Sequence, residues 1–159
     1  MSELTHTDAS GHARMVDVGN KAETERVARA EGSISMSADA LTAIEQNALA
    51  KGDALATARI AGIMAAKKTA DLIPLCHNIP LTDVGVDMEV DHSIPGIRVQ
   101  SWAVSRGRTG VEMEALTAAT VALLTLYDMA KSIDRAMQIS GVRLTAKSGG
   151  KSGDWRRSP

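Results

Sequence analysis

The chain has 159 residues, of which 44% are hydrophobic and 23% charged, and this length suits one domain that buries its own core. It contains no Phe, two Trp and one Tyr, so we expect a core of aliphatic and small residues. A net charge of −1 and so few aromatic side chains argue against nucleic-acid binding, which depends on basic surfaces and stacking platforms.

The single cysteine and the N-terminal sequence further restrict the kind of protein that this chain can be. Cys76 has no second cysteine to pair with, and no zinc-ligand spacing occurs, so we expect neither an internal disulfide nor a resident metal. The N-terminus lacks the apolar segment of a signal peptide, and we expect no stretch that spans a membrane. These features predict a soluble cytoplasmic protein with no membrane partner.

Periodicity and capping residues predict the elements in chain order. Ser37 and Asp53 are typical helix N-caps, and Pro74 and Pro80 exclude a helix between them. The predicted order is a flexible leader 1–14, a strand 21–36, a helix 38–47, a helix 54–70, a loop 71–80, strands 82–91 and 97–104, a helix from 109 to about 133, and a strand 136–146.

This order predicts an α+β, ferredoxin-like fold, with an antiparallel sheet and helices packed on one face. We expect a single catalytic domain over 15–146 and a mobile, Gly/Lys-rich tail over 147–159. Gly150-Lys151-Ser152 imitates the end of a P-loop, but Thr145 stands where the first glycine of that motif belongs. The tail is either a cationic flap over phosphate or a disordered terminus.

The long helix from Thr109 carries acids at both ends. Glu112 either closes a capping box with Thr109 or lines a pocket. Glu114 and Asp128 share one broad stripe of the helix, which is either a solvated face or a site. They lie fourteen residues apart, or about 21 Å, so one helix cannot grip one small molecule with both. A second copy, antiparallel across a two-fold axis, would bring them together, and the Ala/Thr-rich middle of the helix suits such packing.

Other ionisable residues permit two interpretations each. Asp128 and Lys131 form either a surface salt bridge or an acid–base pair for proton transfer. Lys51, just before a helix start, is either solvated or shares an anion with the helix amides. His77 follows Cys76 in the proline-braced loop, and it is either structural or oriented for hydrogen bonding.

Seven co-linear blocks of the sequence are distinctive together: Met15–Val18, Lys51–Asp53, Ala56–Gly62, Asp71–His77, Thr109–Thr117, Tyr127–Met129 and Ala146–Gly153. They closely resemble the molybdenum cofactor biosynthesis protein C family, the cyclic pyranopterin monophosphate synthases. The resemblance runs from about Met15 to Asp154, and its variable stretches are the leader, 44–50 and 91–96.

The resemblance implies a cofactor-independent lyase that converts 3′,8-cyclo-7,8-dihydroguanosine 5′-triphosphate to cyclic pyranopterin monophosphate and diphosphate. It also implies a homo-hexamer, a trimer of dimers, with the site at the dimer interface; whether Mg²⁺ accompanies the triphosphate stays open. By position, it implies a catalytic set of Asp128, Lys131 and Lys51, substrate contacts from Leu75, Cys76, His77, Met113 and Glu114, triphosphate contacts from Arg26 and Lys147, and a pocket position for Glu112.

Two other functions remain in competition at this stage. The chain could be a ferredoxin-like module that senses a nucleotide without catalysis, or a structural oligomer whose polar stripe serves assembly. A binding module has little use for Asp128 and Lys131 one turn apart, so their substitution separates these functions.

Overall fold

A computed structural model describes residues 10–158 of the chain. The strands and helices follow one another as β1 Thr24–Ser35, α1 Ala38–Glu45, α2 Ala54–Ala66, α3 Thr69–Leu72, β2 Leu81–Asp91, β3 Gly96–Gly107, α4 Glu112–Ala130, β4 Gln138–Ser148 and β5 Trp155–Arg156.

The strands form one antiparallel sheet in the order β2-β3-β1-β4-β5, with the helices on one face. Alternation sets the faces: in β1, Ala28, Ala30 and Ile34 are at most 1% exposed, whereas Arg29 points to the open face. The predicted α+β, ferredoxin-like architecture is therefore confirmed.

Two N-caps begin helices where the sequence predicted. Ser37 Oγ accepts a hydrogen bond from the backbone N–H of Ala40, at 3.2 Å, and Asp53 Oδ1 accepts one from Ala56, at 2.9 Å. The second of these helices is shorter than predicted, because α2 ends at Ala66 and the chain turns before the separate α3.

The predicted capping box at the start of α4 is wrong. Val111 occupies the N-cap position, and no side chain caps this helix end. The Glu112 carboxylate is instead bonded to Lys147, on β4. Since capping does not use Glu112, its carboxylate is available to a site.

The C-terminal strands extend beyond the predicted limits. β4 continues through Lys147 to Ser148, and the unpredicted β5 pairs with Ala146 and Lys147. Lys147 is thus held in the sheet. The flexibility of the tail stays a prediction, and residues 1–9 of the predicted leader lie outside the described residues.

By length and composition alone, α4 is long and apolar enough to cross a membrane, contrary to our expectation from the sequence. Its residues Ala115, Ala118, Ala119, Leu123 and Leu126 are fully buried within the chain. A core helix of a globular fold passes the same test, and α4 occupies that position.

Small residues bring α2 and α4 close together. A Cβ on Gly62 would lie 2.7 Å from the carbonyl oxygen of Ala118 and 2.9 Å from a methyl carbon of Val86. The alanines of the middle of α4 therefore pack inside the subunit, and our interpretation of them as a surface for a second subunit is wrong.

We expect Gly62→Ala to lower the free energy of unfolding by about 1 kcal/mol or more, because overpacking here exceeds what alanine gains in helix propensity. Urea unfolding at fixed protein concentration measures the change. If propensity alone mattered, the variant would be more stable than the wild-type chain, so the sign of the change decides.

Candidate functional site

A cavity of about 310 Å³ lies at the N-terminal end of α4, and we call it the acidic cavity. It brings together six of the residues singled out from the sequence. Its walls are Val16, Val18, Lys21, Leu75, Cys76, His77, Ile79, Thr109, Gly110, Glu112, Met113 and Glu114.

Glu114 is the buried acid of this cavity, with only 4% of its surface exposed. Burial raises the pKa of its carboxyl, and the neighbouring Glu112 charge raises it further, against a lowering by a backbone hydrogen bond. Burial also raises the pKa of the Cys76 thiol, with a smaller contribution from Glu114. The cavity therefore favours a protonated carboxyl and a neutral thiol, a setting suited to donating hydrogen bonds.

His77 is held in place by the segment that precedes β1. Its Nε2 lies 2.8 Å from the carbonyl oxygen of Val16, and because a carbonyl only accepts, Nε2 carries the proton. The imidazole is thus oriented by the backbone while it lines the acidic cavity, so both interpretations of His77 from the sequence remain open.

A second cavity, of about 180 Å³, adjoins the first, and we call it the basic cavity. It holds Arg26 and Lys147, the two residues that the family resemblance implies as triphosphate contacts, and it shares Lys21, Thr109, Gly110 and Glu112 with the acidic cavity. Its walls are Lys21, Arg26, Arg108, Thr109, Gly110, Glu112, Lys147, Ser148, Gly149 and Ser152.

The glycine turn after β4 closes over Arg26. Gly149 and Gly150 have φ of 89° and 78°, which favour glycine, and a Cβ on Gly150 would lie 1.7 Å from an Arg26 guanidinium nitrogen. Arg26 Nε also donates to the carbonyl oxygen of Gly107, at 3.3 Å. The turn and the sheet together fix the guanidinium at the cavity wall.

The lysine–aspartate cluster, formed by Lys51, Asp128 and Lys131, lies at the opposite end of α4. Asp128 Oδ2 accepts from Lys51 Nζ at 2.6 Å, and Oδ1 lies 2.7 Å from Lys131 Nζ. Lys51 Nζ also donates to the backbone carbonyl of Asp128, at 3.0 Å. These lysine hydrogen bonds, from Lys131 first and Lys51 second, lower the pKa of Asp128 to about 2.

All three side chains of this cluster are about half exposed, from 48% to 54%. Within residues 10–158, the walls of the acidic and basic cavities do not include any of the three residues of the cluster. One subunit thus carries two separate groups of candidate residues, one at each end of α4.

A family comparison bears on this arrangement. A model of the MoaC family matches residues 15–150, which include the acidic cavity, the lysine–aspartate cluster and every residue of the basic cavity except Ser152. The chain belongs to the MoaC family.

Curated relatives in this family carry the name cyclic pyranopterin monophosphate synthase. Those of Brucella ovis and Brucella melitensis are 60% identical to this chain over 153 residues, covering 96% of the chain and 93% of the relative. That of Brucella canis is 59% identical over the same coverage.

Sequence reasoning missed two cations that line these cavities. Lys21 lines both cavities, and Arg108 lines the basic cavity, where its side chain is tied to the carbonyl oxygen of Gly19 at 2.9 Å. Each is a single cation beside an element end, a weak signal in a sequence. Their position beside Arg26 appears only once β1, β3 and β4 are assembled.

A third cavity, of about 620 Å³, adjoins the basic cavity and shares Lys21, Arg26 and Ser152 with it. Lys151 and Thr24 also line it, and Thr24 Oγ1 is buried with no hydrogen-bond partner within residues 10–158. Cations and an unused hydroxyl together suit a ligand rich in oxygen acceptors.

No group of three or more His, Cys, Asp or Glu side chains is placed to hold a metal ion within the part of the chain that the structure describes.

We expect Glu114→Gln to stabilise the fold at pH values above 4.5. The unfolded carboxyl titrates near 4.5 and the folded one at higher pH, so the stability that comes from the protonated form is present below pH 4.5 and is lost as the pH rises through the folded pKa. The glutamine variant does not suffer this loss.

Urea unfolding of both chains from pH 4 to pH 8 measures the difference, with the exposed Glu25→Gln as the matched control. The advantage of the Glu114 variant should appear above pH 5 and grow with pH. Parallel stability curves for wild type and variant would contradict the assigned environment of Glu114.

Proposed function

We propose that this chain is a cyclic pyranopterin monophosphate synthase. Its substrate is 3′,8-cyclo-7,8-dihydroguanosine 5′-triphosphate, and its products are cyclic pyranopterin monophosphate and diphosphate. Membership of the MoaC family and the name that its curated relatives carry support this assignment. Release of diphosphate with formation of a cyclic phosphate makes the reaction that of a phosphorus–oxygen lyase.

The observation that carries the proposal is the wall shared by the acidic and basic cavities. Lys21 and Glu112 belong to both, so one ligand can extend from one cavity into the other. The acidic cavity offers hydrogen-bonding groups to a purine-derived base, and the basic cavity offers cations to a polyphosphate. A nucleoside triphosphate has this division of chemistry.

The residue types fit the steps of the reaction. Ring opening and rebuilding require proton transfers, and the lysine–aspartate cluster supplies an acceptor, Asp128, with the Nζ atoms of Lys51 and Lys131 each within 3 Å of its carboxylate. Departure of diphosphate concentrates negative charge on the leaving group, which Arg26, Lys147, Lys21 and Arg108 stabilise electrostatically.

We propose that the complete site needs two subunits. The outward side of α4 carries Met113 at one end, the 53%-exposed Leu124 past its middle, and Asp128 with Lys131 at the other end. On α2, Ile60 and Met64 add exposed apolar surface, at 59% and 56%. An antiparallel pair of α4 helices buries this surface and brings each acidic cavity to the partner subunit's lysine–aspartate cluster.

We expect such dimers to assemble further into a hexamer, as a trimer of dimers, and the protein to work in the cytoplasm. The reaction as proposed requires no resident cofactor, because the protein's own acids and bases supply the proton transfers. Mg²⁺ would arrive with the triphosphate and neutralise part of its charge.

The direct test supplies purified full-length chain with the cyclic dihydroguanosine triphosphate and follows product by chromatography and diphosphate by an enzymatic assay. Equal amounts of both products support the proposal, and GTP serves as the control that should not react. Binding of the triphosphate without product would instead favour a nucleotide-sensing module.

We expect Lys147→Ala to weaken binding of the triphosphate by about tenfold, since a charge-assisted contact contributes on the order of 1.5–3 kcal/mol when it is made. The exposed Lys67→Ala, at the end of α2, is the matched control. Isothermal titration calorimetry gives the affinity, and thermal unfolding shows whether the fold is intact. An unchanged affinity would remove Lys147 from the phosphate site.

A further inference from the structure

Glu112 and Lys147 form the partition between the two cavities. Lys147 Nζ lies 2.9 Å from Glu112 Oε1, and the two side chains are 30% and 29% exposed. Glu112 lines both cavities, whereas Lys147 lines the basic cavity only. The carboxylate crosses the backbone at Gly110, where a Cβ would lie 1.9 Å from Oε2. Glycine at this position is what allows the carboxylate to reach the lysine.

This ion pair competes with the proposed substrate. The Glu112 carboxylate already neutralises Lys147 in the cavity where the phosphate chain would bind. A polyphosphate carries several negative charges against the single charge of a carboxylate, so it would displace Glu112 from the lysine. The displaced carboxylate would then be partly buried without the ammonium group that had paired with it, which is unfavourable unless new donors reach it.

A guanine-type base supplies such donors. Its ring N–H and amino group lie side by side, and a carboxylate can accept hydrogen bonds from both at once. Glu112 opens onto the acidic cavity, where the base would bind, so its carboxylate need only turn from one cavity to the other.

We infer that substrate binding exchanges this ion pair: Lys147 passes to the phosphate chain, and the released Glu112 carboxylate binds the donor edge of the base. The inference rests on the proposed function and assigns Glu112 a part in choosing the substrate. Each half of the substrate prepares the site for the other half, because a base that takes Glu112 frees Lys147 and a phosphate that takes Lys147 frees Glu112.

Two separate probes, one for each half of the substrate, measure this exchange, because each probe should change the affinity of the chain for the other. Calorimetry on the full-length chain measures the affinity for inorganic tripolyphosphate with and without saturating guanosine, and then the reverse. We expect each probe to tighten the binding of the other by about fivefold, and by the same factor in both directions. Mutual independence or mutual weakening of the two probes would overturn the inference.

The variant Glu112→Gln tests whether the ion pair between Glu112 and Lys147 opens on binding or stays formed. We expect the variant to bind tripolyphosphate alone about fivefold more tightly, because the competing carboxylate is gone, and to lose the coupling to guanosine. The control Glu25→Gln removes an exposed carboxylate next to Arg26 in the sequence. It should change the tripolyphosphate affinity by less than fivefold and keep the coupling to guanosine.

A double-mutant cycle with Lys147→Ala distinguishes exchange from a general loss of negative charge. If Glu112 acts by occupying Lys147, its substitution should have little effect on tripolyphosphate affinity once Lys147 is removed. An equal gain in both backgrounds, or weaker anion binding in Glu112→Gln itself, would overturn the exchange. The turnover assay on the wild-type chain tests the proposed function separately, since product formation is measured without reference to the coupling between tripolyphosphate and guanosine.

Discussion

Asp128→Ala should lower turnover by at least about a hundredfold, the smaller end of what positioned acid–base catalysis contributes. The carboxylate holds Lys51 and Lys131 within 3 Å, and its pKa of about 2 keeps it ionised throughout the neutral range. Without it, the two ammonium groups lose the anion that orients them. Lys131→Ala should give a loss of similar size. Steady-state assays of product formation measure both.

The fold should survive these substitutions, because the side chains of the cluster are about half exposed. Circular dichroism and size-exclusion chromatography check this in each variant. Lys67→Ala and the exposed Asp87→Ala are matched controls of the same residue types and should keep wild-type rates. Turnover retained by Asp128→Ala or by Lys131→Ala would remove the catalytic role that we assign to that residue.

Short-range patterns predicted most of the fold. Val84, Val86, Met88 and Val90 alternate strictly, and they lie within β2, because a half-buried strand repeats every two residues. The caps at Ser37 and Asp53 were equally reliable. In both cases the signal and the structure that it specifies lie within a few residues of one another.

Predictions failed where distant residues decide the structure. Thr109 and Glu112 have the spacing of a capping box, but Lys147, which is 35 residues away in sequence, binds the Glu112 carboxylate. Trp155 and Arg156 form β5 only because β4 offers a free edge to them. A pattern confined to a few residues does not contain either contact.

In the candidate site, too, local sequence patterns identified some residues and missed those that only distant contacts bring together. Residues in distinctive blocks, such as Leu75, Cys76 and His77, were identified from the sequence and lie together in the acidic cavity. Lys21 and Arg108 stand outside such blocks, and only the assembled sheet brings them to the basic cavity. The sequence correctly placed Glu114 and Asp128 too far apart to contact one small molecule within one subunit. The helical rise of 1.5 Å per residue gives their separation, and no knowledge of tertiary contacts is needed.

Mixing Glu114→Ala and Asp128→Ala subunits should restore turnover that neither variant shows alone. If each site takes its acidic cavity from one subunit and its lysine–aspartate cluster from the other, a mixed dimer has one site damaged twice and one site intact. Random exchange makes half of the dimers mixed, so about a quarter of wild-type turnover should return. Refolding or co-expressing the two variants at equal amounts allows the exchange.

A mixture of Asp128→Ala with Lys131→Ala is the decisive control, because both substitutions lie at the same end of α4. A mixed dimer of this kind has both of its sites damaged, so its turnover should stay at the level of the single variants. Should Glu114→Ala not fold because of its buried position, Lys147→Ala can replace it, with turnover measured at a substrate concentration too low to saturate this more weakly binding variant. If turnover fails to return in the first mixture, the two-subunit site is wrong. The acidic cavity and the lysine–aspartate cluster would then serve separate functions, because about 21 Å of straight helix keeps them apart within one subunit.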